Sequence, residues 1–213
     1  MNQRFEEIYA TNEWKHGSGE GSLAEHTRGY VSFLERFLQA RGITSVVEMG
    51  CGDWQFSKHV RWGGARYQGY DVVRSVIAAN QAQHAREGVS FHLYSGDPAE
   101  LPAAELLIVK DVLQHLSDSA VARFLPHLSR YRYALLTNCV NPRGPTVNRD
   151  IADGDFRYLD LRLAPFHLQA TEVYSFSHTM GWAQRLLRRR RWFKRVLLVE
   201  GAASVPHDTP AAA

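Results

Sequence analysis

Three features of the sequence predict an α/β fold built on a mostly parallel sheet. Short apolar runs alternate along the chain with segments of helical periodicity, as in folds where strands and helices take turns. The run from Glu105 to Val109 is apolar after its first residue, which is typical of a strand buried on both faces. Gly50 and Gly52 directly follow the first apolar run, so a strand is predicted to end there in a turn that leads to a helix.

The first part of the chain is predicted to contain a long helix followed by regularly spaced strands. The helix extends from about Leu23 to Ala40, because its apolar residues recur at helical spacing, and Gly42 ends it. Strands are predicted near residues 45–50, 67–71, 89–94, 105–109 and 133–137, with a helix between the second and the third. Asp118 is predicted to cap a further helix that runs toward Leu128.

After Asn138 the periodicity weakens. Residues 141–145 contain two prolines and one glycine and are predicted to form a loop. The runs 171–176 and 196–199 are predicted to be two more strands that close the sheet as an antiparallel pair. We expect residues 205–213 to form a disordered tail.

The composition indicates a single globular domain. The chain has 213 residues, of which 45% are hydrophobic and 22% are charged, as in ordinary soluble proteins. Its two cysteines, Cys51 and Cys139, are too few for a disulfide framework, which favours the reducing cytoplasm. No segment resembles a signal peptide or reaches the roughly 20 apolar residues of a transmembrane segment.

Basic residues are concentrated in one stretch, although the net charge of the chain is only +3. This basic cluster consists of Arg185, Arg188, Arg189, Arg190, Arg191, Lys194 and Arg195. The favoured interpretation is a solvated helix end or loop ahead of the last strand. The alternative is a surface that binds phosphates, RNA or an anionic membrane face.

The glycine turn and a later acid indicate a nucleoside ligand. Glycine has no Cβ, so a ligand can approach the backbone of the turn closely. Asp71 ends the next strand, where an acid would hold a ribose. The dinucleotide pattern G-x-G-x-x-G is not met after Gly50 and Gly52, and Glu48 would repel a phosphate but attract an amino or sulfonium group. These features favour S-adenosylmethionine over NAD.

Several motifs resemble those of the class I S-adenosylmethionine-dependent methyltransferases. The motifs of the superfamily are Glu48-x-Gly50-x-Gly52, Asp71, Gly96-Asp97 and the segment KDVLQHL at 110–116. Further segments resemble a small bacterial subgroup of this superfamily. They are Tyr9-x-x-x-x-Trp14, the glycine- and serine-rich segment 17–22, and segments 136–138, 148–154, 157–159 and 164–166. The resemblance covers residues 5–170 and implies a Rossmann-like, seven-stranded, mostly parallel sheet with helices on both faces.

The resemblance also implies how the cofactor, S-adenosylmethionine, would be held. Glu48, with the two glycines of the turn, would contact the methionine moiety, Asp71 would accept hydrogen bonds from both ribose hydroxyls, and Asp97 would lie beside the adenine. Residues 1–22 would form a lid over the cofactor. The implied cofactor-binding residues are Trp14, Ser18, Gly19, Ser22, Glu48, Gly50, Gly52, Asp53, Asp71, Gly96, Asp97 and Lys110.

The predicted catalytic residues are Asp111 and His115, which both follow the fourth strand. Methyl transfer depends mainly on positioning and water exclusion, and a hydroxyl acceptor also needs a base. His115 is the predicted base because its side chain titrates near neutral pH, although a histidine at this place can also be a packing residue. Asp111 lies where the methionine end and the acceptor would meet. Asp111, Asn138 and Asn141 could together bind a divalent cation, but strand-end and turn roles are commoner, and no metal site is predicted.

The methyl acceptor is expected to be a small molecule, such as a sugar or a biosynthetic intermediate, that is methylated on a hydroxyl or an amine. The insertion 141–170 would lie on the substrate side, and the predicted substrate-binding residues are Asn138, Asn148, Asp150 and Arg157. Two alternatives remain. One is an RNA methyltransferase that uses the basic cluster, which is not favoured, and the other is a non-catalytic adapter that keeps the cofactor fold. The oligomeric state is left open.

Overall fold

The structure is a computed structural model that describes residues 2–177 and 192–201. Most of the basic cluster, from Arg185 to Arg191, lies outside the described residues, as does the predicted tail 205–213. Lys194 and Arg195 are the two members of the cluster that the structure describes.

The described chain forms a seven-stranded, mostly parallel sheet, as predicted. The strands are β1 (Ser45–Met49), β2 (Arg66–Asp71), β3 (Val89–Leu93), β4 (Leu106–Lys110), β5 (Tyr133–Val140), β6 (Thr171–Ser177) and β7 (Phe193–Glu200). Their order across the sheet is β3-β2-β1-β4-β5-β7-β6. Strands β1 to β5 pair in parallel, whereas β7 runs antiparallel to both β5 and β6. The predicted closing antiparallel pair is therefore confirmed.

The strand order changes direction at β1, which pairs with β2 on one side and with β4 on the other. In open α/β sheets, ligands bind beyond the carboxyl ends of the strands at such a point. The ends of these three strands, at Met49, Asp71 and Lys110, lie next to one another. The topology therefore places the glycine turn, Asp71 and the segment after β4 around one site.

Four α-helices accompany the sheet within the described residues: α1 (Asn2–Thr11), α2 (Ala24–Arg41), α3 (Arg74–His84) and α4 (Asp118–Phe124). Gly42 ends α2 in the left-handed conformation, with a φ of 60°. The predicted cap of α4 is wrong. Ser117 is the N-cap, with its hydroxyl accepting from the N–H of Ala120, and Asp118 is the first helical residue.

Hydrophobic side chains pack on both faces of the sheet. Successive residues of a strand point to opposite faces, so neighbours in β4 belong to different layers. Val109 packs in the layer that includes Ile8 of α1 and Phe124 of α4, whereas Ile108 packs in the layer that includes Leu34 of α2. This double burial explains why β4 is a continuous apolar run. None of the helices within residues 2–177 and 192–201 combines the length and apolarity of a membrane span.

Candidate functional site

A cavity lies at the carboxyl ends of β1, β2 and β4. Residues 12–23, which join α1 to α2, lie over it and form the covering segment. The cavity encloses about 1030 Å³ of space including its open mouth, enough for a small organic ligand. The predicted residues that line it are Trp14, Ser18, Ser22, Gly50, Gly52, Asp71, Gly96, Lys110, Asp111 and His115. The predicted residues that do not line it are Gly19, Glu48, Asp53, Asp97, Asn138, Asn148, Asp150 and Arg157.

The backbone N–H groups of the turn at residues 50–53 all have acceptors. Two of them donate to the carbonyl oxygen of Tyr70, at 2.7 and 3.0 Å. The third donates to Asp71 Oδ2 at 2.8 Å, and the fourth donates to Ser18 Oγ at 3.1 Å. A turn that binds a pyrophosphate must offer free N–H donors, and this turn has none. Its backbone instead orients the carboxylate of Asp71 and the hydroxyl of Ser18.

Gly52 is required at this turn by its backbone and by its neighbours. Its φ is 51°, a conformation that residues with a Cβ rarely adopt. A Cβ at this position would also collide with Ser18 Oγ. The glycine therefore permits the covering segment to approach the floor of the cavity.

The carboxylate of Asp71 is buried at the end of β2 and lines the cavity. Its two oxygens accept from the N–H groups of Gly52, at 2.8 Å, and Val73, at 3.1 Å. Burial raises the pKa of Asp71 to about 6, and these N–H donors limit the rise. Asp71 is therefore mostly ionised at pH 7. Each of its oxygens keeps a lone pair that can accept from a ligand hydroxyl.

The covering segment is fixed at its centre by Asp53. Ser18 Oγ donates to Asp53 Oδ1 at 2.5 Å, and the Ser18 N–H lies 3.4 Å from the other carboxylate oxygen. Tyr9 of α1 contacts the same serine hydroxyl at 2.8 Å. Asp53 was predicted to bind the cofactor, but its carboxylate is occupied by this segment and does not reach the cavity. Gly19, also predicted, lies next to Ser18 with a φ of 85° and does not line the cavity.

Two buried lysines share the carboxylate of Asp111 beside the other end of the covering segment. Lys110 Nζ lies 2.6 Å from Asp111 Oδ2, and Lys194 of β7 contacts the same oxygen. Both ammonium groups also lie 3.3 Å from the carbonyl oxygen of Gly21. The two lysines therefore hold Gly21 and Asp111 together at the edge of the cavity. In the described part of the chain, Asp111 Oδ1 is buried without a hydrogen-bond partner, so it can accept from a ligand.

These charges decide what Asp111 can do chemically. Burial would raise the pKa of Asp111, but the two ammonium groups more than offset it and lower the pKa to about 2. Burial lowers the pKa of Lys110 to about 8. A carboxylate with so low a pKa is a poor proton acceptor near neutral pH. Asp111 can orient a ligand, and the geometry does not favour it as a base.

The alternative cation site at Asp111, Asn138 and Asn141 is not assembled. Asn141 directs its carboxamide into its own turn, where it accepts from the N–H of Arg143 at 3.0 Å and donates to the carbonyl of Pro145 at 3.1 Å. The two ammonium groups on Asp111 would repel a cation. No three His, Cys, Asp or Glu side chains of the described residues form a group that could hold a metal ion.

His115 lines the cavity and packs against the covering segment. Its ring lies 4.8 Å from the ring of Trp14 between centroids, and Nδ1 lies 2.8 Å from the carbonyl oxygen of Asp155. Burial lowers the pKa of His115 below its usual value of 6.5. The imidazole is therefore neutral at pH 7, which is the form that can accept a proton.

Glu48 does not reach the cavity, because it points away from it. Its carboxylate accepts from Ser57 Oγ at 2.8 Å and from the hydroxyl of Tyr67. Burial raises the pKa of Glu48 to about 7, despite these donors and nearby Lys110. Met49, the next residue of β1, lines the cavity instead. The predicted contact with the methionine moiety is therefore not supported by the position of Glu48.

The predicted substrate-binding residues of the insertion 141–170 are used to hold this insertion in place. Asn148 accepts from the N–H of Asp160 at 3.0 Å and donates to the carbonyl of the same residue at 3.0 Å. Asp150 accepts from the N–H of Asp118 at 2.8 Å. Arg157 is buried and forms an ion pair with the Asp118 carboxylate. These groups support the insertion and do not line the cavity.

Two other predicted residues do not line the cavity. Asn138 is buried at the end of β5, and within the described residues its Oδ1 has no hydrogen-bond partner. Asp97 is exposed and caps a short helical turn by accepting from the N–H of Ala99 at 3.0 Å. Asp97 borders a shallow neighbouring cleft, which also includes Gly96.

The sequence did not predict several residues of the site. Lys194 was assigned to the basic cluster, and its contact with Asp111 spans 83 positions in sequence. Tyr9 belonged to a recognised motif but was not among the candidate residues. Tyr94, Arg123 and Phe124 line the cavity without any motif that marks them. The periodicity of α4 could have placed Phe124 on its buried face, but not beside a ligand.

Solved structures of similar architecture include several methyltransferases. The 1,6-didemethyltoxoflavin-N1-methyltransferase of Burkholderia thailandensis, with bound S-adenosylhomocysteine, is 16% identical at a TM-score of 0.64, covering 94% of this chain and 87% of that one. The magnesium protoporphyrin IX methyltransferase of Synechocystis PCC 6803, with bound SAH, is 15% identical at a TM-score of 0.60, and the match covers 95% of this chain and 100% of that one. Human N-acetylserotonin methyltransferase in complex with SAM is 12% identical at a TM-score of 0.52, and the match covers 82% of this chain and 55% of that one.

The sequence matches no protein-family model and no curated protein sequence. At these low identities, the structural likeness establishes the fold. The chain has the Rossmann-like fold of the class I S-adenosylmethionine-dependent methyltransferases.

Proposed function

We propose that this chain is an S-adenosylmethionine-dependent methyltransferase that methylates a hydroxyl or an amine of a small molecule. The observation that carries the proposal is the turn at residues 50–53, at which every N–H has an acceptor while Asp71 faces the cavity. Such a turn suits a nucleoside without phosphates. It does not suit a dinucleotide, whose pyrophosphate needs free backbone donors.

The residues of the cavity fit this cofactor. Asp71 would accept from the ribose hydroxyls, since it is ionised at neutral pH and oriented by two backbone N–H groups. The buried, unpartnered Asp111 Oδ1 would accept from the amino group of the methionine moiety or from the acceptor. Trp14 and Ser18 would cover the cofactor, and Gly96 would lie on the adenine side.

When bound, the cofactor supplies a methyl group on a positively charged sulfur. The chain would contribute mainly alignment and the exclusion of water, for which effective concentration accounts for about 7–11 kcal/mol in well-oriented reactions. The covering segment, fastened through Ser18 and Gly21, would exclude water. His115 would take the proton of a hydroxyl acceptor, because its imidazole is neutral and lines the cavity.

Calorimetry with S-adenosylhomocysteine and NAD⁺ tests the cofactor. We expect micromolar binding of S-adenosylhomocysteine and no measurable binding of NAD⁺. Incubation of candidate acceptors with isotopically labelled cofactor, read as a mass shift of the product, then identifies the methyl acceptor. Binding of NAD⁺ alone would contradict the proposal, and binding of neither ligand would favour the non-catalytic adapter.

The covering segment is expected to control how long the cofactor stays bound. Asp53→Ala removes the anchor of Ser18 without altering a residue that lines the cavity. Loss of this anchor should cost about 1 kcal/mol, so S-adenosylhomocysteine should bind about fivefold more weakly and dissociate faster. Glu35→Ala is the matched control. Glu35 lies on α2, where its carboxylate pairs with Arg61 away from the cavity. Equal dissociation rates in the two variants would contradict a lid role.

A further inference from the structure

Gln114 is buried next to His115 in the short helical turn Leu113–His115, and was not among the predicted site residues. Its carboxamide lies between the histidine and β5. Its Oε1 accepts from the backbone N–H of Cys139 at 2.7 Å, and its Nε2 lies 3.3 Å from Nε2 of His115. Both polar ends of this buried side chain are therefore engaged, the oxygen by β5 and the nitrogen by His115.

The orientation of this carboxamide is fixed by the backbone. The N–H of Cys139 can only donate, so the atom of Gln114 that it contacts must be the oxygen. The amide nitrogen of Gln114 is therefore the atom that faces His115. This nitrogen carries hydrogens and cannot accept one from the imidazole.

The tautomer of His115 follows from its two neighbours. The carbonyl oxygen of Asp155, 2.8 Å from Nδ1, can only accept, so Nδ1 carries the proton of the neutral ring. Nε2 of His115 then presents its lone pair to the amide of Gln114. Two further hydrogen bonds hold the loop around Asp155 against the turn Leu113–His115. The N–H of Gly154 donates to the His115 carbonyl, and the N–H of Arg157 donates to the Gln114 carbonyl.

We infer that Gln114 is a positioning residue, which keeps Nε2 of His115 unprotonated and ready to take a proton from the methyl acceptor. The importance of this rests on the proposed function, in which His115 is the base. The distance of 3.3 Å is long for a hydrogen bond, so an acceptor hydroxyl can displace the amide without a large loss.

Other groups around His115 set the background against which Gln114 acts. Burial lowers its pKa most, the hydrogen bond to the Asp155 carbonyl and the charge of Asp111 raise it, and the charge of Lys194 lowers it. Donation from Gln114 to Nε2 opposes protonation as well. Removal of this donor should therefore raise the pKa of His115, and replacement by an acceptor should raise it further.

Titration of the His115 imidazole by NMR in the full chain tests this ordering without cofactor or acceptor. Gln114→Met removes the donor and should raise the pKa modestly. Gln114→Glu can still accept from Cys139 while placing a carboxylate oxygen opposite Nε2, so the pKa should rise by about one unit or more. The nitrogen chemical shifts of the wild-type ring should show the proton on Nδ1.

The matched control is Gln81→Glu, which adds the same charge on α3, where the amide of Gln81 donates to the carbonyl of Phe91. It should leave the titration of His115 unchanged. An unchanged pKa in both Gln114 variants, or a wild-type proton on Nε2, would overturn the inference. Because the readout needs no ligand, its failure is distinguishable from a failure of cofactor binding.

Discussion

Replacing His115 with alanine is expected to lower kcat for a hydroxyl acceptor about a hundredfold or more, while the affinity for S-adenosylhomocysteine changes little. General-base catalysis by a positioned side chain typically contributes about 10²–10⁴-fold. His115 is the neutral imidazole in the cavity wall, whereas Asp111 is held ionised by two lysines and is too weak a base to replace it. Single-turnover rates with preloaded cofactor measure this effect separately from binding.

His115→Asn is the matched control for the same experiment. An asparagine can supply an N–H for the Asp155 carbonyl but cannot accept a proton, so it should be as slow as alanine. Wild-type kcat should fall as the pH drops through the lowered pKa of His115, because protonation removes the basic lone pair, and should level off at higher pH. Near wild-type turnover in both variants would show that the acceptor needs no base, as a neutral amine does not.

The elements of the sheet could be predicted because their signals are local. The buried run of β4, the apolar run of β1 and the alternation of β3 depend only on which side chains lie within one strand. The ends of β5 and β7 were predicted too short, because Val140 pairs with Phe193, a partner far away in the sequence. A strand extends for as long as its neighbour continues, and periodicity in one segment does not record this.

The orientation of side chains around the cavity was less predictable. Glu48 and Met49 are neighbours in a strand buried on both faces, so one of them must point away from any ligand. An acid before a glycine turn gives no information about which of the two faces carries the cavity. The hydrogen bonds of Glu48 to Ser57 and Tyr67 are decided by tertiary packing alone.

The polar residues of the insertion show a second limit. A buried loop without strands or helices needs partners for backbone groups that no ladder satisfies, and Asn148 and Arg157 supply some of them. A dense polar segment is therefore as consistent with loop support as with substrate binding. Lys194 illustrates the converse, because a residue assigned to a basic cluster is buried against Asp111.

Asp71→Asn is expected to weaken the binding of S-adenosylhomocysteine at least tenfold. Hydrogen bonds to a charged group are worth about 1.5–3 kcal/mol, and the amide also cannot accept from both Gly52 and Val73 as the carboxylate does. Affinity of the wild type should fall as the pH drops through about 6, because protonation of Asp71 removes the charge that would hold the ribose hydroxyls. Calorimetry between pH 5 and pH 8 measures both effects, with Glu35→Gln, which neutralises a carboxylate of α2 away from the cavity, as the control variant.

A second ligand separates loss of the ribose contact from damage to the turn. The 2′-deoxyribose analogue of S-adenosylhomocysteine lacks one hydroxyl that Asp71 would accept from. The wild type should bind it more weakly than S-adenosylhomocysteine, whereas Asp71→Asn should discriminate little between the two, as in a double-mutant cycle. If the variant discriminated as well as the wild type, Asp71 would act by orienting Gly52 and not by holding the ribose. The thermal midpoint of each variant, measured in parallel, shows whether the turn itself has been weakened.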